Sequence, residues 1–456
     1  MKLDSAKSPG ARALALDILA AAQRRGESVE DLLSAVLRRY PHLPRRERAL
    51  VLELVQGVKR WEIRLDYLLG RLAAQPLKKM HPLALNLLRL GAYQLLWLDR
   101  VPARAVVSEA GKLAKARGLS KAQAGFINAV LRRLAGGDLP ALPDPAGDPA
   151  LALSVTHAHP HWLVRRWLAR YGPEKAGARL AANNFIPPLT IRVNTLKTDA
   201  AALIARLSRE GVTAAPCRFS PGGLHLTALQ AAPLELPSYQ EGLWLFQDEA
   251  AQLVTDLSGA APGQKVGEVG CGRGGKTTHL AEMLHNQGLL LALDYQRGRL
   301  REARSNLRRW GVTEVQLLQT DATKPLPLKD RSLDLVVVDA PCSGLGILRR
   351  HPEIKTRLKE GDLATFPPRQ LGMLEQAGGL LRPGGRLLYV TCTTEPPENE
   401  EVVAAFLKTH PEFHLLTDPG PIPEAARGFL QPSGFFQTSP ATDDLDGFFA
   451  ATLVRK

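Results

Sequence analysis

Two cysteines sit where short apolar runs stop. The run Leu333-Asp334-Leu335-Val336-Val337-Val338 leads into Asp339-Ala340-Pro341-Cys342-Ser343-Gly344, and Arg386-Leu387-Leu388-Tyr389-Val390-Thr391 leads into Cys392. Each run is aliphatic or β-branched, bounded by turn residues and of strand length. Groups at the carboxyl ends of strands in an open α/β sheet face the ligand crevice. The pattern therefore predicts two thiols looking into one cleft beside Asp339. A nucleophilic thiolate with a carboxylate beside it suits covalent catalysis coupled to proton transfer. The plainer reading makes Asp339 a turn cap above a buried thiol.

A second constellation follows an earlier strand: Glu268-Val269-Gly270-Cys271-Gly272-Arg273-Gly274-Gly275-Lys276-Thr277-Thr278. Glycines let backbone approach a ligand closely, and the helix that begins there supplies unpaired N–H groups. The next strand ends in Asp294, 20 residues beyond Gly274, where an acid reaches ribose hydroxyls. The same loop, as Gly270-x-x-x-x-Gly275-Lys276-Thr277, also matches a phosphate-binding P-loop, and spacing alone leaves both readings open. Past Cys392, the acids Glu398, Glu400 and Glu401 read best as a helix amino terminus.

These groups need a scaffold. Strands are expected at 265–269, 289–294, 314–320, 333–339 and 386–391, alternating with helices Thr277 to His285, Gly298 to Trp310 and Gln370 to Leu381. That alternation implies a parallel, doubly wound sheet. The tail adds strand material at Phe413 to Leu416 and Phe448 to Val454. From 10 to about 135 the apolar residues recur at helical spacing, giving an all-helical bundle. A Gly/Pro/Asp-rich stretch from Gly136 to Pro149 reads as a linker. A small mixed region follows, with a helical start at Trp162, a strand at 189–194 and a helix from Ala200 to Arg209. The expected domains are 1–138, 150–240 and 241–456.

Composition fits a multidomain globular chain: 456 residues, 45% apolar and 23% charged. The net charge of +14 is uneven. Residues 1–140 carry 25 basic and 12 acidic side chains, net +13, whereas residues 241–456 carry 24 and 27, net −3. A basic module on a near-neutral remainder points to a polyanion, most simply nucleic acid; solvated arginine-rich helix faces are the alternative. Cys217, Cys271, Cys342 and Cys392 show no metal-ligand spacing, so free thiols and no metal are expected. No segment has the apolar length of a membrane span, and Met1-Lys2-Leu3-Asp4 lacks the apolar stretch of a signal peptide. A cytoplasmic protein without a membrane partner is expected.

The three segments resemble the RNA 5-methylcytosine methyltransferases, in particular the bacterial Sun/Fmu (RsmB-like) type that modifies small-subunit ribosomal RNA. The resemblance is carried by Asp339-Ala340-Pro341-Cys342-Ser343-Gly344 running on to Arg349-Arg350-His351-Pro352-Glu353-Ile354-Lys355, and by Thr391-Cys392 followed by Pro396 and Glu398-Asn399-Glu400. Phe246 to Gln252 and Asp446-Gly447-Phe448-Phe449 add to it, and the helical region is similar to the NusB-type RNA-binding fold. The resemblance implies an all-α NusB-like bundle, a small α+β RNA-binding region and an α/β Rossmann-like methyltransferase domain. It also implies S-adenosylmethionine as cofactor, 16S ribosomal RNA as substrate and Cys392 as the thiolate that attacks cytosine C6. Asp339 would hold the N3 edge, and Cys342 would help remove the C5 proton.

The cofactor would meet Glu268, Gly270, Cys271, Gly272, Arg273, Gly274, Gly275 and Lys276, with Asp294 on the ribose, Asp321 near adenine and Asp339 at the same strand ends. A free thiol ionises near pH 8.5, so Cys392 needs a neighbouring cation or N–H groups; Arg349, Arg350, Lys355 and Lys276 are the candidates. The loop departs from the family's usual Cys-Ala-Ala-Pro-Gly-Gly-Lys, with Arg273 an added charge, and Thr356 and Thr393 replace the usual Trp and Ser. Three other readings compete: a DNA cytosine methyltransferase, which needs no second strand-end cysteine; an RNA-binding assembly factor on a relic fold; and a P-loop nucleotidase, which leaves both thiols unexplained. A monomer is the default.

Overall fold

Apolar stripes at helical spacing close on one another in the amino-terminal region, and apolar runs of strand length pair in the carboxyl-terminal region. A computed structural model describes residues 9–25, 28–418 and 422–456; the Met1–Asp4 start read for targeting lies outside them. Contacts divide the chain into two compact units, Met1–Phe185 with Leu348–Glu360, and Ile186–Ile347 with Gly361–Lys456.

The first unit is helical: α1 (Ala11–Arg25), α2 (Val29–Arg39), α3 (Arg45–Leu72), α4 (Pro82–Trp97), α5 (Ala103–Ala116), α6 (Lys121–Ala135), α7 (Pro149–His157) and α8 (His161–Ala182). Local chemistry sets the ends. Pro82 opens α4, Asp148 caps α7, and Ser120 with Gln123 forms a capping box on α6. Gly172, with φ of 75°, and Pro173 break α8 in two. Leu14, Leu54, Val55, Leu65, Leu88, Ile127 and Leu131 lie in one core.

The Arg349–Lys355 stretch belongs to this unit. Arg60 Nη2 donates to the Arg349 carbonyl at 2.6 Å, and Lys355 Nζ donates to Asn184 Oδ1 at 2.6 Å and the Arg60 carbonyl at 3.3 Å. Lys355 is buried, and burial pushes its pKa well below the usual lysine value.

The second unit opens with a small antiparallel sheet. It holds β1 (Leu189–Val193), α9 (Ala200–Arg209), β2 (Val212–Pro216), β3 (Gly223–Leu229), α10 (Pro237–Gln240) and β4 (Trp244–Phe246), in the order β2-β3-β1-β4. Sequence patterning finds only β1. The strand β2 is Val-Thr-Ala-Ala-Pro and mostly outside the core, so neither propensity nor alternation marks it.

The larger sheet follows: α11 (Glu249–Asp256), β5 (Lys265–Val269), α12 (Gly275–Met283), β6 (Leu289–Asp294), α13 (Arg297–Trp310), β7 (Val315–Gln319), β8 (Leu333–Asp339), α14 (Ile354–Arg357, within the first unit), α15 (Phe366–Gly379), β9 (Leu381–Thr391), α16 (Glu400–Thr409), β10 (Phe413–Leu415), β11 (Phe435–Gln437) and β12 (Phe449–Arg455). The order is β10-β12-β9-β8-β5-β6-β7, with β11 on β12. Strands β9 to β7 are parallel as expected, and the tail strands complete the sheet antiparallel. The chain runs outward from β5 through β6 to β7, then crosses back to β8. The topological switch, where ligands bind in such sheets, therefore lies between β5 and β8.

Candidate active site

Strands β8 and β9 are parallel neighbours, with Asp339 opposite Val390, so the loops after them emerge side by side. Cys342 Sγ and Cys392 Sγ stand 3.2 Å apart. A polar bracket holds the two loops in place. Glu398 Oε2 accepts from the Ser343 N–H at 2.8 Å and from Gln370 Nε2 at 3.2 Å. Gln370 Nε2 also reaches the Pro341 carbonyl at 3.0 Å, and the Ser343 and Thr393 hydroxyls share a 2.8 Å contact. Asn399 ties Thr391 to Thr393, and the Gly346 N–H donates to the Cys392 carbonyl at 3.0 Å.

Glu398 is only 1% exposed, which corrects its reading as a helix-end charge. Glu400 and Glu401 do occupy the first turn of α16. The hydrogen bond shared with the Cys392 thiol, together with burial, pushes the Cys342 pKa up.

Lys276, in the first turn of α12, places Nζ 2.7 Å from Asp339 Oδ2 and 5.6 Å from the Phe448 ring centroid. Burial alone would lower its pKa, but the Asp339 carboxylate holds it above the ordinary lysine value, with a smaller contribution from Cys392. Of the four cations considered for the thiolate, Lys276 is the one in the unit that carries both thiols; Arg349, Arg350 and Lys355 belong to the other.

The glycine loop follows β5. Gly270, Gly272 and Gly274 have φ of 85°, 54° and 84°, a region that favours glycine. A Cβ on Gly270 would lie 2.3 Å from the Asp339 carbonyl, so the loop rests directly on the end of β8. Asp294 Oδ2 accepts from the Gly272 N–H at 2.9 Å and Oδ1 from the Gln296 N–H at 2.7 Å, which fixes the loop against β6. Glu268 is fully buried; it accepts from the Thr277 hydroxyl, and its second oxygen has no partner among the described residues. Burial raises its pKa to about 7. Thr277, which a P-loop would turn toward Mg²⁺, is spent on that buried bond.

Cys271 is a packing residue beside Ala292 and Leu300, and burial pushes its thiol pKa up. The added charge of Arg273 meets Glu302 of α13 at 2.8 Å. Asp321 caps its own turn: Oδ1 accepts from the Thr323 hydroxyl at 2.7 Å and the Thr323 N–H at 3.1 Å.

Residues that sequence reasoning passed over brace this loop. Arg192, in β1, is 1% exposed and donates to Glu282, Gln247, the Gly275 carbonyl and the Thr278 hydroxyl, with its guanidinium over the Trp310 ring. A charge inside the apolar strand Leu-Thr-Ile-Arg-Val was the signal. The Phe246–Gln252 motif joins the two sheets: Glu249 accepts from the Phe219 and Ser220 N–H groups, and Gln252 donates to the Ile191 carbonyl. Folding also brings Cys217, His225 and Glu249 together, which chain spacing did not show. Among the described residues, no helix is long and apolar enough to cross a membrane.

The loop suits a nucleoside with a charged, branched tail. A Cβ on Gly272 or Gly275 would meet nothing within 4 Å, so backbone is open to a ligand there. The start of α12 offers N–H groups, and Asp294 offers a carboxylate at the strand end. A parallel sheet with its switch point at this loop, and two thiols at the next strand ends, defines a Rossmann-like methyltransferase whose cofactor is S-adenosylmethionine. The model for 16S rRNA methyltransferase RsmB/F matches residues 259–454, the NusB family model matches 9–136, and the RsmF/B-like ferredoxin-like domain matches 159–232.

The chain is 33% identical to the probable ribosomal RNA small subunit methyltransferase B of Bacillus subtilis, over 99% of this chain and 100% of that one. It is 36% identical to the ribosomal RNA small subunit methyltransferase B of Pseudomonas putida, over 90% and 91%. A solved methyltransferase homologue from Pyrococcus horikoshii superposes with a TM-score of 0.57 at 27% identity, covering 68% of this chain and 99% of that one. The chain belongs to the ribosomal RNA small subunit methyltransferase B family.

Proposed function

We propose that this protein transfers a methyl group from S-adenosylmethionine to C5 of a cytosine in 16S ribosomal RNA, through a covalent Cys392–C6 adduct that Cys342 helps to release. The observation that carries this reading is the 3.2 Å approach of the two thiols at adjacent parallel strand ends, beside the Lys276–Asp339 pair. The family relatives named for small-subunit ribosomal RNA supply the substrate class.

Cytosine C5 is a poor nucleophile until a group adds at C6. The Cys392 thiolate forms the S–C6 bond, the displaced electron pair moves into the ring, and Asp339 holds the N3 edge where that density collects. Lys276 keeps a fixed positive charge beside both groups. S-adenosylmethionine would be held by the Gly270–Lys276 loop and Asp294, and it would supply the electrophilic methyl group and leave as S-adenosylhomocysteine. Once C5 carries the methyl, Cys342, having passed its own proton to solvent, takes the C5 proton as a thiolate. The C6–S bond then breaks and returns Cys392. The target base must leave any stack to reach two thiols in a cleft.

We further propose that the enzyme works as a cytoplasmic monomer on free or partly assembled RNA, with domains near 1–138, 150–240 and 241–456. The test is incubation with methyl-labelled S-adenosylmethionine and unmodified small-subunit RNA, followed by nucleoside analysis. Label in 5-methylcytidine is expected; label in another nucleoside, or none, overturns the reading.

A further inference from the structure

In the helical unit, Arg104, Ser108, Gly111 and Lys115 recur along one face of α5, and Asn128, Arg132 and Ala135 along one face of α6. The two faces wall an open groove of about 600 Å³, also lined by Lys112. Four cations thus converge on one groove, and its lining includes no acid. Glu109 pairs with Lys112 at 2.8 Å. The side chains of Arg104, Lys115 and Arg132 have no ionic or hydrogen-bonding partner among the described residues. Asn128 lines the groove, and its side-chain oxygen is buried with no partner among the described residues. Gly111 makes room for that amide, since a Cβ there would lie 3.0 Å from it.

We infer that this α5–α6 groove is where the helical unit takes RNA, with Arg104, Lys115 and Arg132 on successive phosphates. Arg104 and Lys115 lie eleven residues apart, about 16 Å along the helix, which spans several nucleotides of backbone. The inference rests on the proposed RNA substrate.

The test compares the intact protein with the triple variant R104Q/K115Q/R132Q, whose substitutions all lie on exposed side chains. The probe is a protein-free small-subunit ribosomal RNA transcript, titrated at several salt concentrations. Affinity should fall on the order of tenfold or more at 0.1 M salt, and the slope of log affinity against log salt should shrink by about 2, near 0.7 for each lost phosphate contact. Methylation should show a raised KM for RNA with kcat unchanged at saturation. A second variant, Ser108→Glu, should weaken binding as well. Unchanged affinity and slope in both variants overturn the groove assignment, even where the intact protein methylates RNA. Loss of poly-glutamate binding with RNA binding intact overturns it in favour of an acidic protein partner. Absence of methylation by the intact protein counts against the substrate reading, while the binding titration still decides the groove.

Discussion

Cys342 Sγ lies 3.2 Å from Cys392 Sγ, and the two thiols stand in different surroundings. Cys342 has its ionisation suppressed by its neighbour and by burial. Cys392 lies within the electrostatic reach of the Lys276 ammonium. Under the proposed mechanism the two sulfurs have unequal roles, Cys392 adding to the base and Cys342 serving its release.

That asymmetry gives opposite outcomes for two small substitutions. Cys392→Ser should abolish methyl transfer and form no adduct. Cys342→Ser should complete transfer but release slowly, leaving a covalent protein–RNA complex that survives denaturing electrophoresis. A trapped complex that requires Cys342 instead would reverse the two roles.

The Lys276–Asp339 pair joins the glycine loop to β8. Asp339→Asn leaves Lys276 as a nearly buried cation without its partner. For a pair with one end partly exposed, we expect a loss of about 1–3 kcal/mol at neutral pH, read by chemical denaturation. The rate of methyl transfer should fall about 10²-fold or more, because a charge aimed at the reacting ring is gone. A rate within threefold of the intact protein would remove Asp339 from the chemistry.

Glu268 carries a pH signature. Burial raises its pKa to about 7 in the folded chain, against roughly 4.3 when unfolded. The folded state therefore holds the proton more tightly. The stability this contributes is present below about pH 4.3 and is lost as pH rises toward and through 7. Glu268→Gln keeps an acceptor for Thr277 and removes the titration. Its stability relative to the intact protein should improve by an amount on the order of 3 kcal/mol between pH 4.5 and 7.5. Parallel stability profiles for the two proteins over that range would refute the buried carboxyl.

Arg192 reaches from the small sheet to α12, pairing with Glu282 in its last turn at 2.8 Å with both side chains buried. Arg192→Met strands a buried carboxylate and should cost about 3–5 kcal/mol. The double variant R192M/E282Q should recover part of that loss. Because Arg192 also holds the Gly275 carbonyl, S-adenosylmethionine affinity measured by calorimetry should weaken in the single variant. Undiminished affinity would confine Arg192 to a folding role.

Much of the scaffold was legible from local pattern. Strands β6 and β8 fall where mostly apolar runs end in turn residues, as a buried parallel strand requires, and β5, although it carries Glu268, ends at the glycine loop. The residues at those ends, Gly270, Asp294 and Asp339, follow from the same rule. Glu398 was misread because its partners Ser343 and Gln370 are 55 and 28 positions away in the chain. Asp321, expected near adenine, accepts with Oδ1 from its own Thr323 hydroxyl.

Sequence alone determined the chemistry: two strand-end thiols, one carboxylate, a glycine loop and a basic helical region. Those are properties of residue type and short-range period, which a chain carries before it folds. Only the tertiary structure decided which groups act on which. It set the thiols 3.2 Å apart, gave Lys276 to Asp339, and placed the Arg349–Lys355 stretch in the helical unit. Those pairings follow from strand order and from the need to satisfy buried polar groups at long range, which no local period encodes.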